Sequence, residues 1–310
     1  MSESVKKIFE KFPLLRWIIN FIKSIKLPGL TGLSLYDLLE MYILGIIHGA
    51  LTIRASAIAF SFFMAIFPFL LFILILIPYI PIDGFQNDFL SVLNTTLPPT
   101  TSDFFNNNIF DNINNQSTGG LLSSVFIVSM FLMANGVNAI FSGFQNSYHQ
   151  QLNRNFINQY IHAIGVSLLL VVILLLTIAG LGFIEIYVVH PIYENLDFLD
   201  SSSELVWLNI LKFIFFSLMI YIGISVLYYF GNSKLERTSF YSIGALLTMI
   251  LVILNSFLFS VYIDNFSSYN QLYGSIGALV VLMFYLWLNA IILILGFELN
   301  TSLQKLKDLC

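Results

Sequence analysis

The stretch "RASAIAFSFFMAIFPFLLFILILIP" runs from Arg54 to Pro78, and its one charge is at the first residue. The run is longer than the about 20 apolar residues that a helix needs to cross the hydrocarbon core of a bilayer. A spanning segment must be helical here, because an open strand edge would leave backbone groups unpaired in lipid. The stretch therefore predicts a transmembrane helix with a proline, Pro68, in its interior.

The composition of the whole chain also indicates a lipid environment. Of its 310 residues, 58% are hydrophobic and 10% are charged, and the mean hydropathy is +0.87. A water-soluble domain carries about 25% charged residues, so this chain has too few to cover a water-facing surface. Its one cysteine, Cys310, excludes an intrachain disulfide.

Five more apolar stretches are long enough to span a bilayer. With the first, they predict six transmembrane helices at about residues 55–77, 121–143, 161–184, 208–230, 239–262 and 274–298. We expect an all-α fold, a polytopic membrane helical bundle preceded by N-terminal interfacial amphipathic helices. The predicted division is an interfacial segment at 1–53, a transmembrane domain at 54–299 and a cytoplasmic tail at 300–310.

The basic residues alternate between the connections. Twelve of the 13 lie before the first span, after the second, after the fourth or in the tail, and Lys212 is the exception. The positive-inside rule then predicts cytoplasmic N- and C-termini and an even number of spans.

Residues 34–53 could form a seventh span, but Asp37, Glu40 and His48 would each cost about 2–3 kcal/mol near the bilayer centre. An amphipathic helix in the cytoplasmic interface fits better. Residues 14–26 have a similar pattern with basic side chains, which suit anionic lipid of the inner leaflet. Membrane lipids are thus the expected partners, and a homo-oligomer stays open.

Polar and small residues inside the first span are candidates for packing or binding. Arg54, Ser61 and Pro68 share one helical face with two alanines. Ser61 and Pro68 suit close packing and a kink. Arg54 suits a topology signal that snorkels to the surface, or a contact to a phosphate or carboxylate head group.

Amides form a second candidate set. Asn135 and Asn138 lie on one stripe of the second span with Ser142 and Gln145, and Asn255 lies on a polar side of the fifth span. Buried amides are costly unless they are paired. The stripe therefore predicts either hydrogen bonds between helices or the wall of a wet cavity that opens to the cytoplasm.

The last span has the clearest pattern. Its expected packing face carries Gly274, Tyr285, Asn289 and Gly296, with Gly277 as a further small packing residue. We expect Glu298, Trp287 and Ile294 on the opposite face, with Ile294 towards lipid. Glu298 could pair with Arg54, pair with Lys305, or exchange protons.

Three stretches carry a resemblance to a known family: "RASAIAFSFFMAIFPFLLFI", "LYYFGNSKLERTSFYSIGALL" and "FSSYNQLYGSIGALVVLMFYLWLNAIILILGFELNTSLQ". Over about residues 35–305 the chain resembles the YihY/virulence factor BrkB family of bacterial inner-membrane proteins. The resemblance implies six helical spans with cytoplasmic termini, and a link to envelope biology and lipid handling. An old label for this family, ribonuclease BN, is not supported by the residues, which offer neither a metal-binding cluster nor a basic patch for nucleic acid.

Two functions therefore compete. The first is transport or flipping of an amphipathic, lipid-linked solute. The second is a non-transporting scaffold for envelope assembly, in which the polar stripes only hold helices together. A third function, an intramembrane enzyme, is the least expected, because no Ser/His pair, paired Asp or metal set lies within one leaflet. The histidines also lack the spacing of a metal site, so we expect no catalysis and no cofactor. Without a basic patch we expect no nucleic-acid partner.

Overall fold

The computed structural model describes residues 34–76, 119–145, 155–184, 201–232, 240–265 and 269–308, together with Lys26 and Ser147. These residues form helices and contain no named strand. The helices are α1 (Leu35–His48), α2 (Leu51–Leu76), α3 (Gly119–Gln145), α4 (Phe156–Phe183), α5 (Ser201–Gly231), α6 (Ile243–Asn265) and α7 (Tyr269–Asp308).

Helices α3 to α7 are each long and apolar enough to cross a membrane. A sixth such segment is the pair Leu35–Ile47 and Leu51–Ile66, whose two helices are bent by 64°. Large apolar side chains cover the outer surface of the bundle, among them Phe60, Phe213 and Phe257, as expected of a surface in contact with lipid. The prediction of an all-α polytopic membrane bundle is confirmed.

The six long helices form a ring in chain order, and α7 closes it by packing against α2. Successive helices run in opposite directions. The start of α2 meets the end of α3, because the Arg54 guanidinium donates to the carbonyl oxygen of Gly143. The start of α6 likewise meets the end of α7, where the backbone N–H of Gly244 donates to the side chain of Asn300. We call this end of the ring the Arg54 end.

A bend of 64° divides helix α1 from α2, and α1 packs mainly against α7. Its start is fixed by a capping box, in which the Ser34 hydroxyl accepts from the backbone of Asp37 and the Asp37 carboxylate accepts from the backbone of Ser34. Its end is the corner at Gly49 and Ala50. Ala50 has a φ of 47°, the left-handed region in which non-glycine residues are uncommon.

Helix α7 passes without interruption through the boundary predicted at residue 299. One face of its last turns is covered rather than solvated, because Thr301, Ser302 and Leu306 are buried, and α1 packs on this helix. The residues predicted as a tail, 300–308, thus belong to the bundle.

The core at the Arg54 end is aromatic. Phe144 of α3 stacks on Phe297 of α7, with ring centroids 4.1 Å apart. Tyr228 of α5 meets both rings edge-on, at 5.6 and 5.9 Å. Three helices that are distant in the chain are thereby joined directly below the polar groups of this end.

Candidate functional site

A buried ion pair lies at the Arg54 end, between the first and last helices of the ring. Nη2 of Arg54 is 2.7 Å from Oε1 of Glu298, and the two side chains are 5% and 0% exposed. Nη1 of Arg54 donates to the carbonyl oxygen of Gly143 at 3.0 Å, and Ser147 donates to Oε2 of Glu298 at 2.8 Å. The pair is therefore held by hydrogen bonds as well as by charge.

Of the partners predicted for Glu298, the structure places Arg54 in contact, whereas Lys305 is exposed. Burying two charges costs several kcal/mol per ion, and only good geometry and further hydrogen bonds repay that cost. In a membrane protein such residues face the interior and mark functional positions by default. The pair closes the seam between α2 and α7.

The amide stripe of α3 is joined to α4 by a residue that the sequence analysis missed. Gln159, in the first turn of α4, donates to Ser142 at 3.0 Å and accepts from Gln145 at 2.8 Å. Its Nε2 also lies 3.5 Å from the backbone oxygen of Asn138. We call these four residues the amide cluster. Gln159 precedes the predicted span, so its polarity near an apolar run was the signal that could have found it.

The three asparagine candidates differ in their surroundings. Asn135 is exposed on the outer surface of α3, and Asn138 is half-buried. Within the described residues, Oδ1 of Asn138 and Nδ2 of Asn255 are buried without a hydrogen-bond partner. Neither of the two cavities described below is lined by these three asparagines.

Two other predicted residues of α7 are paired within the bundle. The Tyr285 hydroxyl lies 2.8 Å from the hydroxyl of Ser256 on α6. Asn289 donates to the backbone oxygen of Tyr285, one turn earlier in the same helix, at 2.9 Å. The first contact joins α6 to α7 and the second lies within α7, and neither residue lines one of the two cavities described below.

Helices α6 and α7 cross at two glycines. A Cβ at Gly296 would lie 2.5 Å from the hydroxyl of Tyr228 and 2.6 Å from the backbone oxygen of Gly244, and would also overlap the hydroxyl of Thr248. A side chain at either glycine would collide with the backbone oxygen of the other glycine, as is typical of close helix crossings in membranes. Asn300 strengthens the contact by bonding to the start of α6.

Small residues also let α2 and α3 approach. A Cβ at Gly136 would lie 3.5 Å from Cβ of Ala65 and 3.9 Å from the backbone oxygen of Ser61. Gly277 is buried in α7. Pro68 and Gly274 lie inside described helices, α2 and α7, but their surroundings lie outside the described residues.

The expected orientation of α7 is wrong for Ile294, which is fully buried. Glu298, one turn further on and on the same face, is buried with it. The physical reason is the position of α7, which packs against α6, α2 and α1. At the Arg54 end this helix is covered on both the glycine face and the glutamate face.

Two of the cavities in the described part of the bundle bear on function. The mid-bundle cavity, of about 330 Å³, lies between α2, α3 and α4 and is almost entirely apolar. The tyrosine cavity, of about 300 Å³, lies at the Arg54 end between the end of α5, the start of α6 and the end of α7. Among the described residues, no group of three or more His, Cys, Asp or Glu side chains could hold a metal ion.

Fold and site together define a polytopic α-helical membrane protein with a buried ion pair at one end. Residues 48–308 match the family model for virulence factor BrkB. That match covers most of the chain, so the chain belongs to the virulence factor BrkB family, as its resemblance predicted.

Similarity to individual relatives is moderate. The chain is 31% identical over 264 residues to the protein of Bacillus subtilis (strain 168) named ribonuclease-like protein YfkH, covering 83% of this chain and 91% of YfkH. It is 20% identical over 255 residues to a UPF0761 membrane protein of Haemophilus influenzae (strain 86-028NP), covering 82% and 90%. A UPF0761 membrane protein of Xanthomonas oryzae pv. oryzae (strain PXO99A) is 34% identical over 64 residues, 21% of this chain and 15% of that protein. No solved structure matches the chain.

Proposed function

We propose that this chain moves an amphipathic, lipid-linked solute across a bacterial inner membrane, with both termini in the cytoplasm. The observation that carries this proposal is the mid-bundle cavity, which would hold the apolar part of the solute. The Arg54 end is then the cytoplasmic end, in agreement with the basic residues in the connections on that side.

The position and lining of the mid-bundle cavity suit a hydrocarbon chain. Phe62, one of its lining residues, follows Arg54 by eight residues, so the cavity begins about 12 Å along α2 from the Arg54 end. Its one polar lining side chain is Ser167, which already donates to the backbone oxygen of Ile164 at 2.8 Å. No lining group therefore requires a hydrogen bond from the occupant, and an acyl chain leaves nothing unsatisfied.

The buried ion pair supports the same proposal. An apolar pair of similar volume would hold α2 against α7 at least as well as two buried charges do. A charged seam that can separate when its ions become hydrated suits a helix pair that must open. We call this contact between α2 and α7, which Arg54 and Glu298 make, the cytoplasmic seam.

The test is a lipid-translocation assay in vesicles that contain the purified protein and a phospholipid with a fluorescent head group. A membrane-impermeant quencher then measures how fast labelled lipid reaches the outer leaflet. In the variant Leu174→Trp a larger side chain on the wall partly fills the cavity, and we expect it to slow translocation. The matched control is Leu176→Trp on the same helix, where the leucine is exposed on the outer surface.

Wild-type protein that moves no more lipid than empty vesicles would overturn the proposal. So would equal slowing by the two tryptophan variants, because the outer surface of α4 would then matter as much as the cavity.

The second candidate is a scaffold for envelope assembly that transports nothing. The observation that favours it is the amide cluster, in which Gln159 bonds to Ser142 and Gln145 rather than to a free space. A scaffold needs only this kind of internal pairing. It predicts full complementation of an envelope-sensitivity phenotype by the Leu174→Trp variant.

We infer no enzymatic activity for this chain, although one relative is named ribonuclease-like. RNA binding requires a cluster of basic side chains on an accessible face. Arg54 is buried in an ion pair with Glu298, and the exposed Lys305 and Lys307 lie about 160° apart around α7. Cleavage of labelled RNA by the purified protein would contradict the inference if a variant of the same chain lost that activity.

A further inference from the structure

The tyrosine cavity is on the other side of the ring from the mid-bundle cavity and shares no lining residue with it. Its walls are the last turn of α5, the first turn of α6 and the last turns of α7. All of these turns belong to the Arg54 end, so the cavity lies where the spanning helices stop. A volume of about 300 Å³ is at the lower end of the range for small-molecule sites.

The charge of this cavity has one sign. Lys307 is its one charged lining residue, and no carboxylate is among the lining side chains of the described chain. The Lys307 side chain is exposed, so its ammonium group is hydrated and available at the mouth. Among the described lining residues, an anion that enters here meets a cation and no carboxylate.

Neutral polar groups extend inward from the lysine. Asn232 and Gln304 are both buried in the wall, with Nδ2 of Asn232 3.5 Å from Oε1 of Gln304. Amide side chains and a lysine together offer several N–H donors within one small volume, which is the requirement of a group with several acceptor oxygens.

Aromatic rings form the rest of the wall. Tyr229 and Tyr241 both pack edge-on against Phe240, with centroids 5.9 and 5.1 Å away. The rings are therefore held in place before any ligand arrives. Tyrosine suits the boundary between lipid and water, since its ring is apolar and its hydroxyl is polar.

We propose that the tyrosine cavity binds a phosphate-bearing group at the membrane surface, with Lys307 as the cationic ligand and Asn232 and Gln304 as neutral donors. The phosphate comes either from a lipid head group or from a soluble phosphate. The site does not depend on transport, so it stands or falls separately from the proposed function.

The experiment uses the full-length protein in nanodiscs and has two arms. In the first, discs of phosphatidylcholine are compared with discs that contain phosphatidylglycerol, and bound lipid is counted by native mass spectrometry. In the second, inorganic phosphate is titrated into phosphatidylcholine discs, and the shift in thermal unfolding gives the affinity.

The test variant is Lys307→Gln, and the matched control is Lys305→Gln. Both lysines are exposed on the last turn of α7, but they lie about 160° apart around it, and only Lys307 lines the cavity. Loss of a charge-assisted contact should weaken phosphate binding about tenfold. Neither exposed substitution should prevent folding, and the unfolding curve without phosphate verifies this for each variant.

Preferential binding of phosphatidylglycerol that is lost in Lys307→Gln, and kept in Lys305→Gln, supports the site and identifies a lipid source. The same dependence with inorganic phosphate supports the site with a soluble source. Absence of binding in both arms, or equal weakening by the two variants, overturns it, because only unspecific surface charge would then be at work.

Discussion

At the scale of single residues, the buried pair of Arg54 and Glu298 dominates the Arg54 end. Its oxygens and nitrogens are engaged by Gly143 and Ser147, although Nε of Arg54 has no partner among the described residues. Removal of one partner leaves the other charge buried and uncompensated, which is more costly than losing both.

We therefore expect Arg54→Met or Glu298→Leu alone to lower the free energy of unfolding by about 3–5 kcal/mol, and the double variant to recover much of the loss. Thermal unfolding in detergent measures the effect. The control Lys305→Met changes an exposed residue and should stay within about 0.5 kcal/mol of wild type. Strictly additive losses in the double variant would show that the two charges do not depend on each other.

At the scale of helices, α6 and α7 cross in close contact at Gly244 and Gly296. A methyl group on Gly296 has no space, because backbone and hydroxyl oxygens already occupy it. Gly165 of α4 is the opposite case, since a Cβ there would meet nothing within 4 Å. Substitutions at Gly296 and Gly165 thus separate the effect of packing from the effect of helix propensity.

Gly296→Ala should lower the free energy of unfolding by about 1–3 kcal/mol through overpacking. Gly165→Ala should leave it unchanged or raise it by up to about 1 kcal/mol, because alanine is the better helix former. Both are measured by heating the purified protein and quantifying the folded fraction. Equal effects of the two changes would contradict the tight crossing.

The junction of α3 and α4 gives a second prediction for helices. Gln159→Leu removes the bonds to Ser142 and Gln145, and each such bond is worth about 0.6 kcal/mol on average in a membrane. We expect a stability loss of about 1 kcal/mol.

Asn135→Leu serves as the control for this junction, because Asn135 is exposed on the outer surface and leucine is favourable in lipid. A larger loss from Asn135→Leu than from Gln159→Leu would contradict the position of the amide cluster.

At the scale of the whole molecule, the alternating helix directions put the polar contacts of Arg54, Gln159 and Asn300 on one side of the bundle. The same side receives the connections at 146–154 and 232–242, which carry Arg154, Lys234 and Arg237. By the positive-inside rule we propose that this side faces the cytoplasm.

Cysteine labelling tests that orientation. With Cys310 replaced, cysteines at positions Asn107 and Ser202 should react with a membrane-impermeant thiol reagent added to intact cells. A cysteine at Lys234 should react only after the cells are opened. Labelling of the Lys234 position from outside would show that the Arg54 end faces away from the cytoplasm, and would contradict the proposed orientation.

The sequence by itself determined that the chain lies in lipid, that its fold is helical and where its spans approximately lie. Lipid accepts only apolar segments with internally paired backbones, so an apolar run such as 161–184 could be read directly as the helix Phe156–Phe183. The same physics concealed the orientation of each helix, because a lipid-facing surface and a protein core are both apolar. Ile294 therefore looked suited to lipid, and only the packing of α7 among three neighbours showed it to be buried.

Polar residues were the informative ones, but their partners lie far away in the chain. Glu298 pairs with Arg54 across 244 residues, and Gln159 completes the stripe on α3 from outside its predicted span. A hydropathy pattern identifies which groups need a partner, since an unpaired polar group in lipid is costly. Which partner each one finds depends on the order of helices around the ring, and that order exists only in the tertiary structure.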